Sequence, residues 1–335
     1  NRAFFWPYGM AAKQAEIAKF SVRDAEQYPK YDAALDRAAA VLRDLTRKTP
    51  PNAGGGWLDV LKGAGIGRRV LGLSLDDQRV LTDLFTKSAA EFLDPWFENE
   101  HVKALFAFDG IVGSFAAPST PGTAYVLLHH CFGEVNGKPG VWGHAVGGMG
   151  AITQAMARAA EKAGAEIRLE ASVARVVVEN ARAVGVELNS GELVRARAVA
   201  ANVGPKLLFR DLVDEKDVDP SLYRRLTNIK TGSGTFRMNV ALSELPNFTA
   251  RPGTKPDVHH GAGIVIAPTM AYMERAYLDA KRDGWSHEPV VEMLIPSVLD
   301  GSLAPKGQHV ASLFVQHVAP KLPGSRSWDD QREKE

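Results

Sequence analysis

The residues best placed to do chemistry form a glycine cluster, Gly147-Gly148-Met149-Gly150, just after a loop holding Trp142, Gly143 and His144. Glycines at a helix N-terminus let a flat or anionic ligand approach bare amide groups. The same cluster also reads as a tight entry into a helix. A second cluster, Gly63-Ala64-Gly65-Ile66-Gly67-Arg68, only superficially matches a phosphate-binding turn. That turn needs a third glycine where Arg68 or Val70 stands, and a strand before it, whereas the flanks here look helical. The histidines suggest no metal site. His129-His130 and His259-His260 are adjacent pairs whose rings point apart on a helix or strand, and no H-E-x-x-H occurs. His130 reads either as a satisfied core histidine or as a catalyst, with the first favoured, and His309 and His317 read as structural. No G-x-S-x-G elbow is present and Cys131 lacks a protease signature, so covalent hydrolysis has no support.

Composition narrows the field further. The 335 residues carry 40 Lys and Arg against 39 acids, a net charge of +1, and no long basic run, so nothing steers the chain toward nucleic acid. A hydrophobic share of 45% with 24% charged residues is that of a folded globular protein, large enough for two domains. The lone Cys131 excludes an intramolecular disulfide and a cysteine-based zinc site, and suits a reducing compartment. Apolar runs such as Gly261–Pro268 are too short to span a bilayer. The expectation is a cytoplasmic protein without a transmembrane segment.

Several elements must position these groups. Residues 1–8 read as a short strand, and residues 10–135 as almost wholly helical. Tyr31, Ala34, Leu35, Ala38, Val41, Leu42 and Leu45 keep the spacing of one helix face. Ser74 and Asp77 suggest a capping box, with Leu81, Leu84, Phe85, Ser88 and Phe92 lining the face that follows. Pro95 and Pro121 each suit the first position of a further helix, the second running buried through Leu127 to Phe132. From about 140 the texture changes. An Ala-rich helix over 148–163 ends at Gly164, with side chains small enough for close packing on a sheet. A strand follows at 166–169, then a meander at 173–179, 182–188 and 192–195, with Gly191 in its second turn. Residues 196–201 read as a buried strand and Pro205 as a helix start. Beyond Leu226 strands recur at 234–242, 261–267, 290–295 and 309–317, around a helix at 270–283. The order predicts a mixed α/β (α+β) protein with a discontinuous domain: 1–140 and 206–335 together, and 141–205 inserted. A helix just beginning at Ser327 suggests an internal fragment of a longer chain.

The run Ala124-Tyr-Val-Leu-Leu-His-His-Cys-Phe-Gly133 and then Trp142-Gly-His-Ala-Val-Gly-Gly-Met-Gly150 resembles the phytoene-dehydrogenase-like flavoproteins. Within them it resembles most the branch named for a pyridine nucleotide-disulfide oxidoreductase domain. Val173, Gly185-Val-Glu-Leu-Asn-Ser-Gly-Glu192, Val199-Ala-Ala-Asn202 and Ile295-Pro-Ser-Val-Leu-Asp300 extend the resemblance in the family's order. So do Leu303-Ala-Pro305, Ser21-Val-Arg-Asp24 and Tyr28-Pro29-Lys30-Tyr31. The resemblance implies a two-domain, Rossmann-like flavoprotein of the amine-oxidase and carotenoid-desaturase superfamily, with a helical and mixed-sheet substrate domain. It implies FAD as cofactor and hydride removal from a small apolar or amine-like substrate. By position, the backbone at Val173 would face the adenosine, Ala201 and Asn202 would lie under the cofactor, and Gly147, Gly148 and Met149 would lie near the flavin ring. Trp142 would stand near the ring or the substrate channel, and His130 on the substrate side in a supporting role. The family's G-x-G-x-x-G turn and its C-terminal segment have no counterpart between residues 1 and 335. The chain as given is therefore expected to be inactive, not to hold FAD, and to self-associate through exposed edges. The alternative is a non-catalytic binding module derived from the substrate domain; an amine oxidase is a third reading.

Overall fold

The structure, a computed structural model, describes residues 3–46, 48–52, 54–140, 143–230 and 234–331. The chain divides into two compact units, one formed by Asn1–Gly148 with Ser233–Glu335 and the other by Met149–Gly232.

The first unit opens with helices α1 (Met10–Ala18), α2 (Val22–Thr46), α3 (Trp57–Leu71), α4 (Leu75–Thr86), α5 (Ala89–Leu93) and α6 (Glu100–Ile111). The short α7 (Thr123–Val126) and α8 (His129–Phe132) and a two-stranded ribbon, β1 (Glu134–Val135) with β2 (Lys138–Pro139), follow. The apolar face read on α2 is real: Tyr31, Leu35, Ala38 and Leu42 are buried in one core with Leu84, Phe92, Phe97 and Phe106. Tyr31 sits among Phe97 and Phe106, each with its ring centre 5.0 Å away, and Trp96 at 5.7 Å. Aromatic pairs at these separations add to the area they bury. The same core binds the start of α2 to the start of α6 through a buried carboxylate. Asp24 Oδ1 accepts from the Glu98 amide at 2.8 Å and Oδ2 from the Asn99 amide at 2.9 Å.

Three expectations fail here for identifiable reasons. Residues 3–7 form no strand; Trp6 instead packs edge-on against Tyr28 and Phe106. Pro95 does not start a helix, because the capping groups lie elsewhere. Ser88 and Glu91 form the reciprocal capping box of α5, and Asn99 Oδ1 caps α6 by accepting from the amides of His101 and Val102. The helix expected from Pro121 is split into α7 and α8, with Gly122 left-handed at φ +88° before the first. Gly63, Gly65 and Gly67 lie inside α3, so no turn of the phosphate-binding kind exists there.

The second unit starts with α9 (Met149–Lys162), ended by Gly164 at φ +91°. Its side chains are small, yet none is buried, so the close packing on a sheet expected of it is absent within this unit. The meander forms as read: β3 (Val173–Glu179), β4 (Arg182–Leu188) and β5 (Leu193–Arg195), in the order β3-β4-β5 and antiparallel throughout. Residues 166–169 and 196–201, both read as strands, form none; the Ala196 amide donates to the Val184 carbonyl of β4 at 2.9 Å, and 196–201 is mostly exposed rather than buried. Apart from Ile167 and Val199 these runs hold no β-branched or aromatic residue, so little in their side chains favours a strand. The unit closes with α10 (Pro205–Leu207), a π-helical turn at Leu208–Leu212, and α11 (Pro220–Thr227), capped by Asp219.

The chain then returns to the first unit as β6 (Thr235–Leu242), β7 (Ile264–Ile266), α12 (Met270–Asp283), β8 (Trp285–Leu294), β9 (His309–Val318) and α13 (Trp328–Gln331). The four strands make an antiparallel sheet of order β6-β9-β8-β7. Met273 and Ala276 of α12 and Val290 of β8 join the helical core.

Candidate functional site

The glycine cluster is the helix entry that its sequence suggests, and it is held by a residue far away in the chain. Gly147 and Gly148 have φ of +82° and +76°, a left-handed pair that L side chains rarely adopt. The Gly148 amide closes a turn on the Ala145 carbonyl at 2.9 Å. The Gly147 amide donates to Asp300 Oδ2 at 2.6 Å. Asp300 is buried, and its Oδ1 accepts from the Ser302 hydroxyl at 2.6 Å and the Ser302 amide at 2.9 Å. The Ser302 hydroxyl, then the Gly147 and Ser302 amides, hold its carboxyl below the ordinary range, so Asp300 is ionised around neutrality. A Cβ placed on Gly148 would meet only Leu303 Cδ2, at 3.5 Å, an ordinary contact. Glycine is required there by backbone conformation rather than by crowding. Asp300 and Leu303 belong to runs that the sequence marks by family resemblance, but nothing local identifies Asp300 as the partner of Gly147.

The other residues singled out from the sequence are distributed as follows. Met149 is the first residue of α9 and is 83% exposed. In the second unit Val173 opens β3 opposite Leu188, and the ladder slips immediately after it, between Val173 and Arg175. Ala201 and Asn202 lie in the exposed segment before Pro205, outside helix and strand. His130 is on α8, with its side chain outside the described residues, and Trp142 lies outside them altogether. The structure thus brings Gly147 and Gly148 together with Asp300 and Ser302.

The sheet of the first unit offers an apolar surface. Phe236, Val315, Val291 and Ile266 are directly paired across all four strands, and Met238, Leu313, Met293 and Ile264 form the next row on the same face. Met293, Leu313 and Ile264 pack on a small core with Leu245, Ile295 and Ala311. Phe236 and Ile266 are about half exposed, at 47% and 50%.

The remaining titratable clusters are ion pairs or packed rings. His259 and His260 do not point apart: they lie in a 3-10 turn with ring centres 3.9 Å apart. The helix and strand geometry that separates neighbours does not apply to that turn. His260 Nε2 donates to the Pro246 carbonyl at 3.0 Å. Asp279, Asp283 and His287 come within reach of one another, but the Arg282 guanidinium binds both carboxylates, at 3.1 and 2.6 Å. Arg282 and His287 together push the Asp283 carboxyl down to about 2. Burial raises the Cys131 thiol to about 12, which leaves it unreactive. Among the described residues no helix is long and apolar enough to cross a membrane.

Residues 68–235 match the family model for flavin containing amine oxidoreductases. The chain is 35% identical, over 96% of its length, to pyridine nucleotide-disulfide oxidoreductase domain-containing protein 2 of Rattus norvegicus. It is 24% identical, again over 96%, to the phytoene desaturase (lycopene-forming) of Pantoea ananas. It spans 58% of the length of each of these relatives. An oxidoreductase from Methanosarcina mazei shares the fold at a TM-score of 0.50 and 16% identity, over 76% of this chain and 55% of that one. On the family model and these likenesses, the chain belongs to the flavin containing amine oxidoreductase family.

Proposed function

We propose that the complete protein is an FAD-dependent oxidoreductase that removes hydride from an apolar or amine-bearing substrate. The observation that carries this reading is the left-handed Gly147–Gly148 pair at the head of α9, bound through its amide to the buried Asp300 carboxylate, in a chain of this family. A left-handed glycine pair presents bare backbone to a flat ligand, and Gly150, with no atom within 4 Å of where a Cβ would stand, extends the open strip. These features fit a flavin cradle. Gly147, Gly148 and Met149 would lie along the ring. The backbone at Val173 would face the adenosine, and the exposed Ala201–Asn202 segment would lie under the cofactor. Bound FAD supplies the hydride acceptor; the protein orients the substrate and keeps water away. Asp300 keeps the turn in shape and remains ionised while doing so. The apolar rows of the sheet, with Phe236, Met238 and Ile266 half open, suit a substrate recognised by area rather than by hydrogen bonds. Trp142 and His130 complete the substrate side in this reading, His130 in support.

The test is Gly148→Val in the complete protein. A β-branched residue at φ +76° costs roughly 1–2 kcal/mol of backbone strain, too little to unfold the unit. The variant is expected to stay folded while its flavin retention and turnover fall at least about tenfold, the equivalent of ~1.4 kcal/mol of binding. Wild-type flavin absorbance and turnover in a folded variant would remove the assignment.

A further inference from the structure

Both amides of the Gly147–Gly148 pair are already used inside the protein. The Gly147 amide donates to Asp300 Oδ2 at 2.6 Å, and the Gly148 amide to the Ala145 carbonyl at 2.9 Å. An anion-binding loop is the reverse, with its amides unpaired and aimed at the ligand. A phosphate or carboxylate arriving at this pair would find neither donor free. It would also meet an ionised carboxylate, 8% exposed, bonded to the Gly147 amide from behind. The Ser302 hydroxyl and amide, at 2.6 and 2.9 Å, fix that carboxylate without neutralising it. Among the described residues no lysine or arginine pairs with Asp300, and His144 is the titratable group whose charge bears on it. With no side chain on either glycine a flat group can lie against the backbone. The field there favours a group without negative charge.

We propose that the buried Asp300 carboxylate sets the redox balance of the bound flavin, favouring the oxidised ring over the reduced one and holding its reduction potential down. The inference rests on the flavin reading above. The oxidised ring is neutral. Taking up two electrons and one proton leaves the reduced ring with a negative charge near neutrality. A fixed anion behind the glycine pair therefore discriminates between the two forms, and its charge is one of the levers by which a protein tunes a cofactor. Burial keeps salt from screening the interaction as it would at the surface. Asp300 touches neither the substrate nor the reacting atoms in this role. It is a positioning residue, acting through the Gly147 peptide, that also supplies charge.

The experiment is reductive titration of the complete, flavin-loaded protein with dithionite against a reference dye, read as a potential. Asp300→Asn removes the charge with little change of shape, and its carbonyl can still accept from the Gly147 amide. Asp300→Ser is a second neutral replacement, so that one variant failing to fold does not decide the outcome. Ser302→Ala is the matched control: it removes a hydrogen bond from the same carboxylate and leaves the charge. Each neutral variant is expected to raise the ratio of affinities for reduced and oxidised flavin at least about tenfold, a rise of ~30 mV for a two-electron couple. Ser302→Ala should change that ratio less than about twofold, ~9 mV. A role confined to the shape of the turn would weaken both forms alike and leave the potential where it was. The proposal is overturned by an unmoved or lowered potential in a neutral variant that holds flavin, or by an equal shift in Ser302→Ala. Loss of flavin from both neutral variants but not from Ser302→Ala also overturns it, since the carboxylate would then be an anchor alone. A complete wild-type protein that binds no flavin removes the flavin reading and this inference together. An unmoved potential in flavin-loaded protein removes this inference alone.

Discussion

Gly185→Ala is expected to unfold the meander of the second unit, at a cost of about 2–6 kcal/mol. Gly185 sits in the middle strand, β4, paired with Val177 on one side and Arg195 on the other. Its φ is +156°, and a Cβ there would stand 2.2 Å from the Val194 carbonyl oxygen, 3.0 Å from Arg195 Cα and 3.1 Å from the Val194 carbonyl carbon. All three atoms are backbone, so no side chain can swing aside; β5 must move away as a whole. Overpacking of this kind costs typically ~1–3 kcal/mol, and holding a non-glycine residue in a glycine-only region adds ~1–3 kcal/mol. Gly191→Ala is the matched control. It is also left-handed, at φ +83°, but its Cβ would meet nothing within 4 Å, so only the backbone strain of roughly 1–2 kcal/mol applies. Amide exchange across Val173–Arg195 in the complete protein would read both. If Gly185→Ala protects those amides as well as Gly191→Ala does, β5 is not held against Gly185 in the way described. In the proposed reading the variant also loses contact with the cofactor, because this meander carries Val173.

What could be read from the sequence, and what could not, follows the range of each interaction. The meander, α9, α12 and the strands of the four-strand sheet are encoded by local signals, such as Gly191 in the second turn of the meander and Gly164 past the end of α9. The runs at 166–169 and 196–201 hold only Ile167 and Val199 as β-branched residues, and a strand exists only with a partner, which composition cannot supply. The Pro95 error arises from competition. Proline tolerates the first position of a helix but does not require one, and Asn99 offers the better cap. In the candidate site the left-handed glycine pair was legible, because two glycines before a helical pattern announce a conformation. Its anchor was not: Asp300 is 153 residues from Gly147, and its carboxylate has no local motif. The adjacent histidines at 259 and 260 show the same limit in reverse, since the rule that neighbours diverge presumes a helix or strand and they occupy neither.

His317 should make the first unit lose about 3 kcal/mol of stability as the pH falls from about 6.5 to about 4. The side chain is fully buried on β9, edge-on to Phe115 at 5.9 Å and Tyr277 at 5.7 Å between ring centres, and among the described residues neither ring nitrogen meets a hydrogen-bond partner. Burial without compensation disfavours the imidazolium and lowers the group to about 4 from its ordinary 6.5. Between those values the unfolded chain binds a proton that the folded chain refuses. The stability is therefore fully present above about pH 6.5 and falls as the pH drops toward 4, below which this group adds no further slope. At ~1.36 kcal/mol per pH unit, a difference of about 2.5 units amounts to ~3 kcal/mol. The carboxylates held low, Asp283 at about 2 and Asp300, lose their contributions at lower pH, so the two effects separate on the pH axis. His317→Leu removes the titration and fills much of the same apolar space. The variant should match the wild type within about 1 kcal/mol near pH 7.5, because no hydrogen bond is lost, and should exceed it by about 2–3 kcal/mol near pH 4.5. Denaturant unfolding of both proteins at the two pH values decides the matter. Parallel losses in wild type and variant would mean that His317 reaches water or a proton acceptor when folded, and that its ring is not enclosed between Phe115 and Tyr277.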